Sequence, residues 1–377
     1  MSNVYIVADN VFSPNGITTS ENFSSIKKGI SGIKQHQNIA LSPTSFYASL
    51  FNENTNYFAQ NGQDSFTKFE QILVASITNA LANSDINIAD EKTALIISST
   101  KGNIALLETE AYNADLQEKI SLNSSAKKIT AHFKIITQPI IISNACISGM
   151  LAILTGMRLI QSGQYNNVVV AGADIISKFI LSGFQSFNAV SNTFCKPFDA
   201  VRNGINLGEA AGTIILSNNE KYCNNIKIAG GSISNDANHI SGPSRTGEEL
   251  HIAIAKTMKQ ANVLASDIGF ISAHGTATIF NDEMEAKAIT LANLQHVPTN
   301  SLKGYFGHTL GAAGIIESII SVNALRENII LPTLGFENIG VTMPISICNE
   351  IKETNKSHFL KTASGFGGCN AALIFSK

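Results

Sequence analysis

One cysteine and two histidines stand where apolar runs of this chain give way to polar turns. In IISNACISGM, residues 141–150, a strand-like run leads into Asn144 and Ala145, and a helical pattern begins at Cys146. A thiol at the positive end of a helix is favoured as thiolate, the nucleophilic form. The plainer alternative is a buried core thiol. In ISAHGTATIFNDEMEAKAI, residues 271–289, His274 follows an apolar run and precedes Gly275 and Thr276. Its ring is expected to leave a strand end, where α/β folds expose reacting groups, or else to be a satisfied core imidazole. Asn281 and Asp282 read as caps of the next helix. In SLKGYFGHTLGAAGIIE, residues 301–317, Lys303 and His308 bring polar chemistry among four glycines, and 311–314 form a small face for close helix packing rather than a phosphate loop. Glu317 is either a carboxylate orienting Lys303 or His308, or a surface residue. In SGFGGCNAALIF, residues 364–375, the glycines let the backbone turn sharply around Phe366. Such a turn can present an N–H to an anionic oxygen, or it can be simply a tight turn. Cys369 reads as buried and inert.

These groups need a rigid frame. Short apolar runs, mostly β-branched, at 5–7, 94–97, 140–143, 168–171, 213–216 and 268–272 predict strands, and helical spacing covers 66–81, 147–161, 282–292 and 309–322. That alternation argues for a layered α/β architecture with strands buried on both faces. Residues 150–157 are apolar on several sides, so the helix after Cys146 is expected at the centre. Polar segments at 218–225 and 234–248 suggest a boundary near 220, giving units 1–220 and 221–377. No close sequence repeat is visible, although two halves can keep one topology after their residues diverge.

Composition narrows the class. The 377 residues are 44% apolar, enough for a large core. Only 14% are charged, the net charge is −2, and no basic tail or run marks a nucleic-acid surface. The first twelve residues lack the pattern of a secretory signal, and no apolar run reaches the roughly 18 to 20 residues of a membrane span, so a soluble cytoplasmic protein is expected. Five cysteines without metal-ligand spacing read as reduced thiols, and no metal is expected.

Taken together, the four segments resemble the β-ketoacyl-acyl-carrier-protein synthase family, condensing enzymes of the thiolase superfamily, in the elongating form with a Cys-His-His site. The resemblance also takes in FSPNG at 12–16, KKGISGI at 27–33 and KPFDAVRNGINLGEAAG at 196–212. It implies a thiolase-like α-β-α-β-α fold with two similarly folded halves, the first carrying the nucleophile and the second both histidines and the gating loop. It implies Cys146 as nucleophile, His274 and His308 as the histidine pair, Lys303 and Glu317 in their polar network, and Phe366 as gate. Backbone N–H groups of Cys146 and Phe366 would form the oxyanion hole, and Thr276 and Thr278 would lie beside the pantetheine arm.

The implied reaction loads an acyl group on Cys146, decarboxylates malonyl carrier protein and joins the two in a Claisen condensation, as in fatty-acid elongation. No cofactor is implied beyond the phosphopantetheine on the acyl carrier protein, whose acidic surface could meet Lys27, Lys28, Lys127, Lys128 and Lys134. A homodimer is implied, or a heterodimer with a chain-length factor. Asn203, Asn206 and Ala210, a short stretch at 120–140, and Ser364 where an aromatic often stands depart from the family pattern. They point to the alternative of a specialised type II synthase of polyene, aryl-polyene pigment or polyketide biosynthesis. A thiolase is disfavoured because Cys369 follows GFGG rather than lying in a Cys-x-Gly motif, and a nonenzymatic scaffold because Cys146 and both histidines are present.

Overall fold

The β-branched runs fold into two five-stranded sheets with the same order and sense. A computed structural model describes residues 2–52, 66–237 and 241–377. The first sheet contains β1 (Tyr5–Phe12), β2 (Thr93–Ser98), β3 (Ile140–Ile142), β4 (Asn167–Asp174) and β5 (Ala210–Ser217), in the order β3-β2-β4-β5-β1. The second contains β6 (Lys227–Asn235), β7 (Ile268–Ser272), β8 (Thr299–Asn300), β9 (His358–Gly365) and β10 (Cys369–Ser376), in the order β8-β7-β9-β10-β6. Each strand of the second sheet thus answers the strand five places earlier. In both, the first three strands of the order are parallel and the last two pairings antiparallel. The edge strands β1 and β6 meet at Tyr5 and Lys227, joining the sheets into one ladder.

The helices complete the layers. α1 (Lys68–Ala82) and α2 (Leu122–His132) belong to the first half, and α5 (Glu248–Ala261) and α6 (Ile279–Leu291) to the second. α1 packs on β1, β4 and β5, α2 on α1, α5 on β6 and β10, and α6 on α5, so these are the outer layers. α3 (Ser148–Gln161) and α7 (Ala313–Arg326) touch each other and strands of both sheets, and form the middle layer. The expectation of a layered α-β-α-β-α fold with two similarly folded halves is met. A central apolar cluster surrounds α3 and α7, while one outer cluster lies under α1 and another under α5 and α6. No helix among the described residues is long and apolar enough to cross a membrane.

The middle helices can approach because their facing positions lack side chains. A Cβ at Gly314 would lie 2.6 Å from the Met150 backbone nitrogen, and one at Gly149 would lie 2.9 Å from Gly311 O. Backbone atoms cannot retreat as a side-chain tip can. Gly314→Ala is therefore expected to lower unfolding stability by about 2 kcal/mol, read as a lower denaturant midpoint with an unchanged slope. An unaltered midpoint would show that the helices separate without cost.

The predicted helix at 282–292 begins earlier than expected. α6 starts at Ile279 with Thr278 as N-cap, which places Asn281 and Asp282 in its first turn rather than at the cap. The Asp282 carboxylate instead accepts the backbone N–H groups of Phe198 and Thr276, at 2.7 and 2.9 Å. Tertiary demand for a buried acceptor outweighs the local capping preference.

Candidate active site

Cys146 sits between the end of β3 and the start of α3. Ser148 Oγ accepts from the Asn144 N–H at 2.8 Å and donates to Ala145 O at 2.7 Å, tightening the turn. Ala145 is held at φ 44°, a left-handed conformation that strains an L-residue by roughly 1–3 kcal/mol. The helix itself starts at Ser148, two residues beyond the thiol. The expectation of a helix-stabilised thiolate fails here. Burial pushes the Cys146 thiol up to about 12, against the smaller opposing pulls of the Lys303 charge and the Phe366 N–H that bonds it. The resting sulfur is a thiol.

Both histidines face that thiol. His308 Nε2 lies 3.0 Å from Cys146 Sγ, and the His274 and His308 rings are 5.4 Å apart and nearly perpendicular. One ring nitrogen of each histidine and the cysteine sulfur all lie within 4.8 Å of one another. Burial, then the Lys303 charge, holds both imidazoles well below their ordinary pKa, so they are neutral at physiological pH. Neither Nδ1 has a hydrogen-bond partner, so at His308, whose Nε2 faces the sulfur, no bond at the far nitrogen fixes the tautomer.

The loops carrying these rings are clamped from behind. His274 and Gly275 give their backbone N–H groups to Glu285, at 2.7 and 2.8 Å. His308 N–H donates to Asn206 O at 2.7 Å, and His308 O accepts from Gly208 N–H at 3.0 Å. A Cβ at Gly208 would fall 1.9 Å from Phe306 O, so only glycine allows this contact. The Asn206 side chain accepts from Cys195 N–H at 2.7 Å and donates to Thr193 O at 2.9 Å. This departure from the family pattern ties a neighbouring loop to the His308 backbone. Asp174, fully buried, accepts the Gly311 N–H at 2.7 Å and the Ser99 hydroxyl at 2.7 Å.

Lys303 and Glu317 form a buried, direct hydrogen-bonded ion pair, which decides between the two readings of Glu317. The second carboxylate oxygen lies 2.8 Å from Lys361 Nζ, a lysine with no exposed side-chain surface that sequence reading missed. Its only signal was a charged residue in the apolar run before the glycine turn. Asp174, Glu285 and Asn206 were likewise not singled out as site residues.

Phe366 is 37% exposed and packs against Phe184, on α4 (Lys178–Ser186), and against Phe187, with ring centroids 5.6 and 5.5 Å away. Phe184 in turn meets the His308 ring edge-on at 6.3 Å. Cys146 is only 8% exposed behind these rings. Ser364 donates its hydroxyl to Asn370 Oδ1 at 2.7 Å, within the β9–β10 hairpin. The hydroxyls of Thr276 and Thr278 are bonded to each other at 2.8 Å. Cys369 is buried as expected, its thiol 3.4 Å from Phe366 O. Among the five lysines singled out for carrier docking, Lys27 pairs with Glu327 at 2.8 Å and Lys128 with Glu70 at 3.0 Å.

The family descriptions that match are "Beta-ketoacyl synthase, N-terminal domain" over residues 1–221 and "Beta-ketoacyl synthase, C-terminal domain" over 226–337. The chain belongs to the β-ketoacyl synthase family. Members are condensing enzymes of the acyltransferase type. A 3-oxoacyl-[acyl-carrier-protein] synthase 2 of Rhizobium meliloti (strain 1021) is 32% identical over 276 residues, covering 68% of this chain and 65% of that protein. The protein of the same name from Vibrio harveyi is 28% identical over 99% of this chain and 98% of its own. Among solved structures, the ishigamide ketosynthase/chain length factor superposes with a TM-score of 0.90 at 24% identity, covering 100% of this chain and 99% of that one. That likeness supports the thiolase-like fold.

Proposed function

We propose that this β-ketoacyl synthase condenses an acyl group carried on Cys146 with malonyl-acyl-carrier protein in fatty-acid elongation. The observation that carries the reading is the thiol held 3.0 Å from one neutral imidazole with a second beside it. In the first half-reaction Cys146 Sγ attacks the acyl thioester, its proton passes to His308 Nε2, and that proton leaves on the departing pantetheine thiol. Backbone N–H groups of Cys146 and Phe366 hold the tetrahedral oxyanion. In the second, His274 and His308 donate to the malonyl thioester oxygen while carbon dioxide departs. The resulting enolate carbon attacks the Cys146 thioester, and the collapsing intermediate expels the Cys146 thiolate, which takes up one proton from water by way of the neighbouring His308. Lys303 and Glu317 keep the rings neutral and placed, Phe366 swings to admit the arm, and Thr276 and Thr278 line its path. The reaction draws on no cofactor beyond the carrier's phosphopantetheine.

The partners are the acyl carrier protein and a second subunit, in the cytoplasm. β3 ends the ladder as three half-exposed isoleucines, with Ser143 and Asn144 exposed just beyond, and such an open edge is suited to pairing with another chain. A homodimer and a chain-length-factor heterodimer both satisfy it. The second reading, specialised polyene, aryl-polyene or polyketide synthesis, is favoured by Ser364, a small polar residue just ahead of the gate. Intact-carrier mass spectrometry with malonyl carrier and saturated, unsaturated or aryl-primed acyl carriers separates the two. Two-carbon extension of saturated primers is expected; extension of unsaturated or aryl primers alone would move the assignment to the specialised pathway, and no extension with any primer, with or without a second subunit, would defeat both.

A further inference from the structure

Lys361 lies in the middle of β9 without any exposed surface. Its Nζ has four oxygens around it: Thr362 O at 2.7 Å, Ser272 O at 3.1 Å, Ala273 O at 3.3 Å and Glu317 Oε2 at 2.8 Å. An ammonium has three protons, and the three carbonyls take them. The contact with Glu317 Oε2 adds an ion pair to this set of oxygens. A ring of backbone carbonyls closed by one carboxylate is the ligand set of a hard cation.

The cage joins the parts that the reaction needs. Ser272 and Ala273 are the two residues before His274, and Glu317 holds Lys303 through its other oxygen. We propose that Lys361 is a positioning residue whose ammonium acts as a tethered monovalent cation, binding the strand end that carries His274 to the Glu317–Lys303 pair. The inference rests on the condensing reaction proposed above, but its central test does not require turnover.

Lys361→Ala leaves a space the size of the lost side chain beyond Cβ, lined with oxygens where Nζ lay, which ammonium or potassium ions can enter. The expected result is a roughly 10- to 100-fold loss of malonyl decarboxylation in choline chloride, recovered at least in part by ammonium or potassium chloride at equal ionic strength. The melting temperature of the variant should rise with the same two salts and not with choline, whereas the native protein responds alike to all three. Lys361→Met fills the space without charge, so it should lose activity and gain nothing from any cation. A Lys361→Ala protein whose melting temperature and activity ignore ammonium and potassium would overturn the proposal. So would a Lys361→Met protein with native activity, which also decides the matter if the alanine variant does not fold. If the condensing assignment itself were wrong, the cation-specific melting shift would still appear without any decarboxylation in the native protein.

Discussion

Replacing Cys146 by alanine removes condensation, by about four orders of magnitude or more, while malonyl decarboxylation continues. The two steps separate because different atoms carry them. Acyl transfer requires Sγ beside an imidazole, and the other described thiols lack that placement: Cys195 is directed at Lys303 O, Cys348 at Glu350 O and Cys369 at Phe366 O, and Cys223 is exposed elsewhere. Burial holds the Cys195 thiol up at about 12 as well. Decarboxylation needs only donors aimed at the malonyl thioester oxygen, and those rings are held by Glu285, Asn206 and Gly208 rather than by the sulfur. Carbon dioxide release from malonyl carrier and acyl-enzyme formation by mass spectrometry give the two readouts. Retention of acyl transfer in the alanine protein would remove Cys146 from the mechanism.

His274→Ala is expected to slow decarboxylation by about 10²- to 10³-fold, the usual loss for one donor in a preorganised electrostatic site. Acyl-enzyme formation should change far less, because His308 is the imidazole in contact with the sulfur. The native protein carries a matching pH signature. Burial and then the Lys303 charge depress both histidines below their ordinary value of 6.5. Decarboxylation therefore stays level as pH falls through 6.5, where a free imidazole would be half protonated, and drops only further down. Stability behaves differently. Below 6.5 the unfolded chain takes up protons that the folded histidines refuse, so stability falls with pH from 6.5 towards the folded values. A rate profile that breaks at 6.5 would show the rings to be ordinary and solvated, contrary to their burial.

The strands and central helices were legible because their apolar periodicity is dictated by burial, and burial dominates the energy of this fold. Type and spacing raised Cys146, His274, His308, Lys303 and Glu317 as candidates beside plainer structural readings, the family resemblance chose between them, and the structure brings all five into one buried cluster. The repeat of topology was not readable as repeat of sequence, since β3 and β8 share a position in their sheets and no residue pattern. Lys361 stayed hidden for another reason. A lysine in a strand reads as solvent-facing unless a buried carboxylate awaits it, and Glu317 lies 44 positions earlier in the chain. Asp282 misled because local capping rules know nothing of the Phe198 backbone, and Cys146 misled because helix position was weighed without the desolvation that overrides it.

Matching the two sheets strand for strand also places Cys146, after β3, opposite its counterpart His308, after β8. The sulfur-to-nitrogen contact is in effect a bond across a subunit boundary that happens to lie inside one chain, and neither half owns a working site. Behind that contact α3 and α7 nest closely at Gly149 and Gly314, where a Cβ would meet the partner helix's backbone nitrogen at 2.9 and 2.6 Å. A shim of a single methyl group at that seam would detune the chemistry before it unfolded the protein, which makes the glycine seam the caliper of the enzyme.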